Sequence, residues 1–173
     1  MLSAVKEMNK TTLPLVEGEY SMIPFDLGTL KGLSDEFKDI AGKLLKQLPK
    51  LKGTAYLTVH GKILKKGETL RRPLPHIDGN YEPHCMRFGG GGWKVGESGR
   101  PVGHPIHERQ YAKETGGIIL CSNEYACNGW VGEFNNIPEK GGDCSHFDLG
   151  EGFKLKPNTV YYGNNHFIHE SLP

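Results

Sequence analysis

His76-Ile-Asp78 and the distant His169 are the residues of this sequence whose types and spacing best suit chemistry. Two imidazole nitrogens and one carboxylate oxygen can occupy one face of an octahedral Fe(II) and leave the opposite face open. Residues two apart on a strand project to the same side, so His76 and Asp78 can address one ion together. His169 must then be carried to them from the far end of the chain. His166 is its rival, but an odd separation along a strand points the two rings to opposite faces, so only one of them can face the ion.

The other histidines carry less. His84 follows Tyr-Glu-Pro and has no Asp two residues on, and His104 and His107 fall in an irregular stretch where a solvated loop is the simpler reading. His60 and His146 read as strand residues with satisfied hydrogen bonds. The four cysteines, Cys85, Cys121, Cys127 and Cys144, form no Cys-x-x-Cys pair. They therefore read as buried or half-buried thiols in a reducing compartment rather than as a structural zinc site. Tyr81, Trp93, Trp130, Tyr161 and Tyr162 suit a pocket lining, although aromatic residues in a β-core more often serve packing.

Elements must position these groups, and the pattern supplies one helix and many short strands. Residues 1–32 read as loop and short strands, punctuated by Pro14, Gly18, Pro24, Gly28 and Gly32. Phe37, Ile40, Ala41, Leu44, Leu45 and Leu48 then recur at helical spacing, with Ser34 as N-cap, Asp35 and Glu36 in the first turn and Pro49 as the stop. From Thr54 the period becomes two. Strands are expected over 55–60, 62–65, 115–122, 144–149, 159–162 and 166–169, with a turn at Lys156-Pro-Asn158. The Gly-rich stretch Phe88–Lys113 reads either as a flexible excursion or as a lid over a site. One helix followed by short strands is an α+β pattern, mainly β, with a sandwich or barrel core. No repeat or linker divides the chain, so a single domain over residues 1–173 is expected.

Bulk properties narrow the function classes. At 173 residues the chain can bury roughly 70% of its unfolded surface. Gly 24 and Pro 11 favour turns and strands over a helical bundle. No run of about 18 apolar residues marks a membrane helix, and residues 1–10 lack the apolar core of a signal peptide, so a soluble cytoplasmic protein is expected. The net charge is only +1, yet nine of the basic residues lie between Lys43 and Arg72 against the single acid Glu68. That stretch either draws an anionic partner or is a solvated lysine face; no aromatic residues stand between the lysines as a nucleic-acid platform would require.

With these residues in view, the chain resembles the Fe(II)/2-oxoglutarate-dependent dioxygenases. Pro75-His-Ile-Asp-Gly-Asn80 looks like that family's first metal motif, and Gly141-Gly-Asp-Cys144 is similar to the Gly-Gly that opens its fourth or fifth core strand. Lys156-Pro-Asn-Thr-Val-Tyr161 resembles the stretch before the distal histidine, although a family glycine is replaced. His169-Glu-Ser-Leu-Pro173 resembles its His-x-x-x-Pro, which selects His169 over His166. The resemblance spans roughly residues 54–173 and implies a double-stranded β-helix (jelly-roll) core with the helix packed on it. It also implies metal ligation by His76, Asp78 and His169, with Fe(II), 2-oxoglutarate and O₂ as cofactor and co-substrates.

The implied reaction couples decarboxylation of 2-oxoglutarate, to succinate and CO₂, with hydroxylation of an unactivated C–H bond. The aspartate at 78 favours hydroxylation over halogenation, since the family's halogenases lose that carboxylate. The substrate is left open among an amino acid, a prolyl or other protein side chain, a small metabolite and a nucleobase. The family's usual Arg or Lys for the 2-oxoglutarate carboxylate follows the distal histidine, whereas the sequence given ends four residues after His169. A missing natural tail or another basic group is therefore expected, with Arg71 and Arg72 the candidates by proximity to His76. Two alternatives remain: a cupin-type metalloenzyme without 2-oxoglutarate, whose close His-x-His and later Glu are not found, and a non-catalytic jelly-roll binding or structural module. The module would show no convergence of the three residues.

Overall fold

The computed structural model describes residues 1–78, 117–138 and 141–173. His84, His104, His107, Cys85, Tyr81, Trp93 and the Gly-rich stretch fall outside them. The described chain is mainly β with one helix. Its elements in order are β1 (Leu2–Ser3), β2 (Val5–Lys10), β3 (Gly18–Asp26), α1 (Asp35–Leu45), β4 (Thr54–Gly61), β5 (His76–Ile77) and β6 (Gly117–Leu120). There follow β7 (Cys127–Trp130), β8 (Gly132–Glu133), β9 (Gly142–Asp143), β10 (Phe153–Lys154), β11 (Thr159–Asn164) and β12 (Ile168–Ser171). All strand pairs among the described residues are antiparallel.

Five strands in the order β10-β7-β12-β5-β9 form the sheet that matters for function, and β2-β11-β6 form a second sheet. Alternation along the strands separates the faces. Ile77 and Ile168, both fully buried, join Trp130, Ile137 and Cys144 in one apolar cluster. On the other side Phe167 packs with Leu155 and Tyr161, so residues of both sheets share that cluster. His76 and His169 take the face opposite Ile77 and Ile168, as a period of two requires. No sheet among the described residues closes on itself.

The helix forms as its pattern dictates. Ser34 Oγ accepts a hydrogen bond from Phe37 N at 3.4 Å, and Phe37, Ile40 and Ala41 are buried. Its sheet is the β3–β4 pair, whose Phe25 and Leu57 share a cluster with the helix. That cluster is distinct from the two beneath the five-stranded sheet, so the helix does not rest on the histidine-bearing core as the resemblance implied.

Several strand assignments need correction. The partner of β4 is β3, a nine-residue strand in a region that reads only as loop and short strands because Gly18, Pro24 and a bulge at Met22 (φ 56°) interrupt its alternation. Pro24 is tolerated because a two-stranded sheet consists of edges. Residues 62–65 are not a strand, and 144–149 turn away once β9 has ended. His166 lies in the turn between β11 and β12, and His146 in the turn after β9, so neither is a strand residue. His60 does lie on β4, but its buried ring nitrogens find no hydrogen-bond partner among the described residues, contrary to the expectation of satisfied bonds.

Candidate metal centre

β5 is only two residues long because Pro73 and Pro75 cannot extend it, yet its placement is firm. Pro75 O accepts from Cys144 N at 2.7 Å, and Ile77 pairs with Gly142 of β9. On its other side His76 pairs directly with His169 of β12. The antiparallel register therefore sets the two imidazoles side by side, with ring centroids 4.5 Å apart. Asp78, two residues beyond His76, returns to the same face. His76 Nε2 lies 3.7 Å from Asp78 Oδ1, and His169 Nε2 lies 3.7 Å from Asp78 Oδ2. One ligand atom from each residue lies within 4.8 Å of the other two. These separations exceed hydrogen-bond length and leave room for one ion among the three side chains.

The backbone sets the protonation of both rings. His76 Nδ1 is 2.7 Å from Leu74 O, and His169 Nδ1 is 3.1 Å from Phe167 O. A carbonyl oxygen only accepts, so each Nδ1 carries a proton, which leaves Nε2, on the side of Asp78, as the ring atom able to bind a metal. Phe167 also stacks against His169, with centroids 5.7 Å apart at 14°. Polar partners of this kind are what orients metal-binding histidines in general.

Electrostatics favour the ligand forms. Burial, joined by His169, pushes His76 down to about 4 against the opposing pull of Asp78, so the ring is neutral at pH 7. Burial alone would raise the Asp78 carboxyl, but His169, His76, Arg72 and Arg71 together outweigh it and hold the group below its usual range. Asp78 Oδ1 is buried and has no hydrogen-bond partner among the described residues. Arg72 Nη1, 3.9 Å from that oxygen, is beyond hydrogen-bond reach, so a buried carboxylate oxygen is left for a cation bound among the three side chains to satisfy. The donor set thus fits a divalent metal such as Fe(II).

His76, Asp78 and His169 come together, and among the described residues no other histidine joins them. His146 is exposed and stands 4.0 Å from Asp143 Oδ2. Burial pushes the thiols of Cys121 and Cys144 up to about 11 and about 12, so neither offers a thiolate. Cys121, Cys127 and Cys144 are free, in line with the thiol reading.

One contributor went unrecognised in the sequence. Ser3 Oγ, fully buried, donates to Trp130 O at 2.6 Å and accepts from Ile168 N at 3.0 Å, anchoring the residue before His169. Arg72 places Nη1 3.9 Å from Asp78 Oδ1. Arg72 was singled out in the sequence for its nearness to His76, whereas nothing in the sequence marks Ser3.

No helix among the described residues is long and apolar enough to cross a membrane. No protein-family model, curated protein or solved structure matches this chain.

Proposed function

We propose that this chain is an Fe(II)- and 2-oxoglutarate-dependent dioxygenase of the hydroxylase type, with His76, Asp78 and His169 as the iron ligands. The carrying observation is the convergence of two imidazole Nε2 atoms and a carboxylate oxygen that accepts no hydrogen bond among the described residues on one buried sheet face. A non-catalytic module has no need of that arrangement. Three protein ligands leave coordination positions for a co-substrate and O₂. Bound Fe(II) would supply O₂ activation coupled to decarboxylation of 2-oxoglutarate, giving succinate, CO₂ and a hydroxylated substrate.

The protein's own contribution is orientation and exclusion of water. Leu74 O and Phe167 O fix the rings, while the β5–β12 register sets their spacing. The jelly-roll core and a single catalytic domain belong to the same reading; the antiparallel five-stranded sheet with its histidines on adjacent strands supports it. Exposed Lys46, Lys50, Lys52, Lys62, Lys65 and Lys66 support an anionic substrate or partner, although Lys62 also faces Glu68 at 3.9 Å.

The test is succinate release by purified protein supplied with Fe(II), ascorbate and 2-oxoglutarate. Turnover that requires both metal and 2-oxoglutarate is expected even without the prime substrate, through uncoupled decarboxylation. Loss of both turnover and metal-dependent 2-oxoglutarate binding contradicts the reading.

A further inference from the structure

His60 is a titratable group that the metal centre leaves unused. Both of its ring nitrogens are buried and find no hydrogen-bond partner among the described residues. It stands on β4 opposite Glu19 of β3. Leu57 and Val59 of the same strand pack with the helix, so a period of two turns His60 to the other face of the β3–β4 ribbon.

The chain leaves β4 at Gly61 and enters β5 at His76. Arg71, on that connection, lies within electrostatic reach of the His60 ring. The connection itself is lightly held. Among the described residues, the hydrogen bonds of residues 62–71 stay within the segment: Lys65 N donates to Glu68 Oε2, Glu68 N to Lys65 O and Thr69 Oγ1 to Arg71 O. Ties to the five-stranded sheet begin at Arg72 O, which accepts from Ser171 N, and Pro75 O, which accepts from Cys144 N. A segment held so sparsely opens at small cost in free energy.

A proton on His60 acts in one direction. The imidazolium would bury a charge whose two N–H groups lack an acceptor among the described residues, and it would face the Arg71 guanidinium. Exposed Glu19 pulls the other way, but burial and Arg71 outweigh it and hold the ring below the ordinary histidine range. Glu19 on β3 and Arg71 on the connection are the charged groups that face His60 among the described residues.

We propose that His60 is a proton-operated latch: its neutral ring lets residues 62–71 close over β4, and its protonation drives them off and loosens the lead into β5. The closed state is fully favoured above about pH 6.5, where the ring is neutral whether the segment is open or closed. It is progressively penalised as pH falls from there toward the lower value of the closed state. Because the segment leads into His76, opening also slackens one ligand of the proposed metal centre. That consequence rests on the metal reading; the latch does not.

The experiment uses the full chain without added metal, so the latch and the metal reading fail separately. NMR follows the His60 ring nitrogens and the backbone order parameters of residues 62–71 from about pH 7.5 to about pH 5. Order parameters of about 0.85 at neutral pH are expected to fall below about 0.6 together with the ring titration, while β11 stays rigid. His60→Phe cannot take the proton and should keep the segment ordered across the range. His60→Gln is equally unable to protonate there and decides if the phenylalanine variant does not fold. The proposal is overturned by a segment that stays ordered while the ring protonates, or that is equally mobile at both ends of the range. A transition that persists in the substituted protein overturns it too, as does simultaneous loss of order in β11, which marks global acid unfolding.

Discussion

His76 and His169 are a cross-strand pair, aligned in register on β5 and β12 with ring centroids 4.5 Å apart. The candidate site is therefore a consequence of strand pairing rather than of a local loop. A slip of one residue in that register would send one imidazole to the opposite face and replace it with Ile77 or Ile168. The contacts that hold the register are accordingly the places where stability and metal affinity should change together.

Ser3 is one such contact. Its hydroxyl donates to Trp130 O and accepts from Ile168 N, and the residue is 1% exposed. Ser3→Ala leaves a buried carbonyl and a buried N–H without that partner, at a cost of about 1–3 kcal/mol. Urea unfolding should show the loss, and divalent metal should bind more weakly because Ile168 adjoins His169. Wild-type stability in the variant would contradict the clamp.

Gly129 is another. It pairs with His169 across β7 and β12, and a Cβ built there would lie 2.5 Å from Phe167 Cζ. The Phe167 ring cannot yield freely because it stacks on His169. Gly129→Ala should destabilise by about 1–3 kcal/mol through overpacking and should also lower metal affinity by displacing the histidine. Denaturant unfolding paired with a metal titration checks both; stability and affinity that both match wild type would show that the ring has room to move.

The metal-free protein should lose stability in mild acid. His76 titrates at about 4 when folded against an ordinary 6.5, so between those values the unfolded chain binds more protons. The stability tied to the neutral ring is fully present above about pH 6.5 and is lost as pH falls toward 4. Asp78, also held low, extends the loss further into acid. Urea midpoints measured from pH 7 downward should fall more steeply for wild type than for His76→Ala. Equal slopes would mean that the buried ring is not the titrating group.

The sequence carried more of the site than of the frame. His76, Asp78 and His169 were legible because donor chemistry and a two-residue spacing restrict what a strand can present. The helix was legible because its cap and apolar face are local signals. The β3–β4 pair was not, since Gly18, Pro24 and the bulge at Met22 hide the alternation that marks a strand. Cys144-Ser-His-Phe-Asp-Leu149 misled in the opposite way, alternating in sequence while the chain turns. The role of Ser3 depends on long-range pairing, which neither composition nor periodicity encodes.

Equilibrium binding of Fe(II) under anaerobic conditions tests the central claim most directly. Wild-type protein should bind a single ion, while His76→Ala and Asp78→Ala should each abolish binding and retain the β-rich fold by circular dichroism. Iron affinity unchanged from wild type in both variants would contradict the account and place the ligands elsewhere.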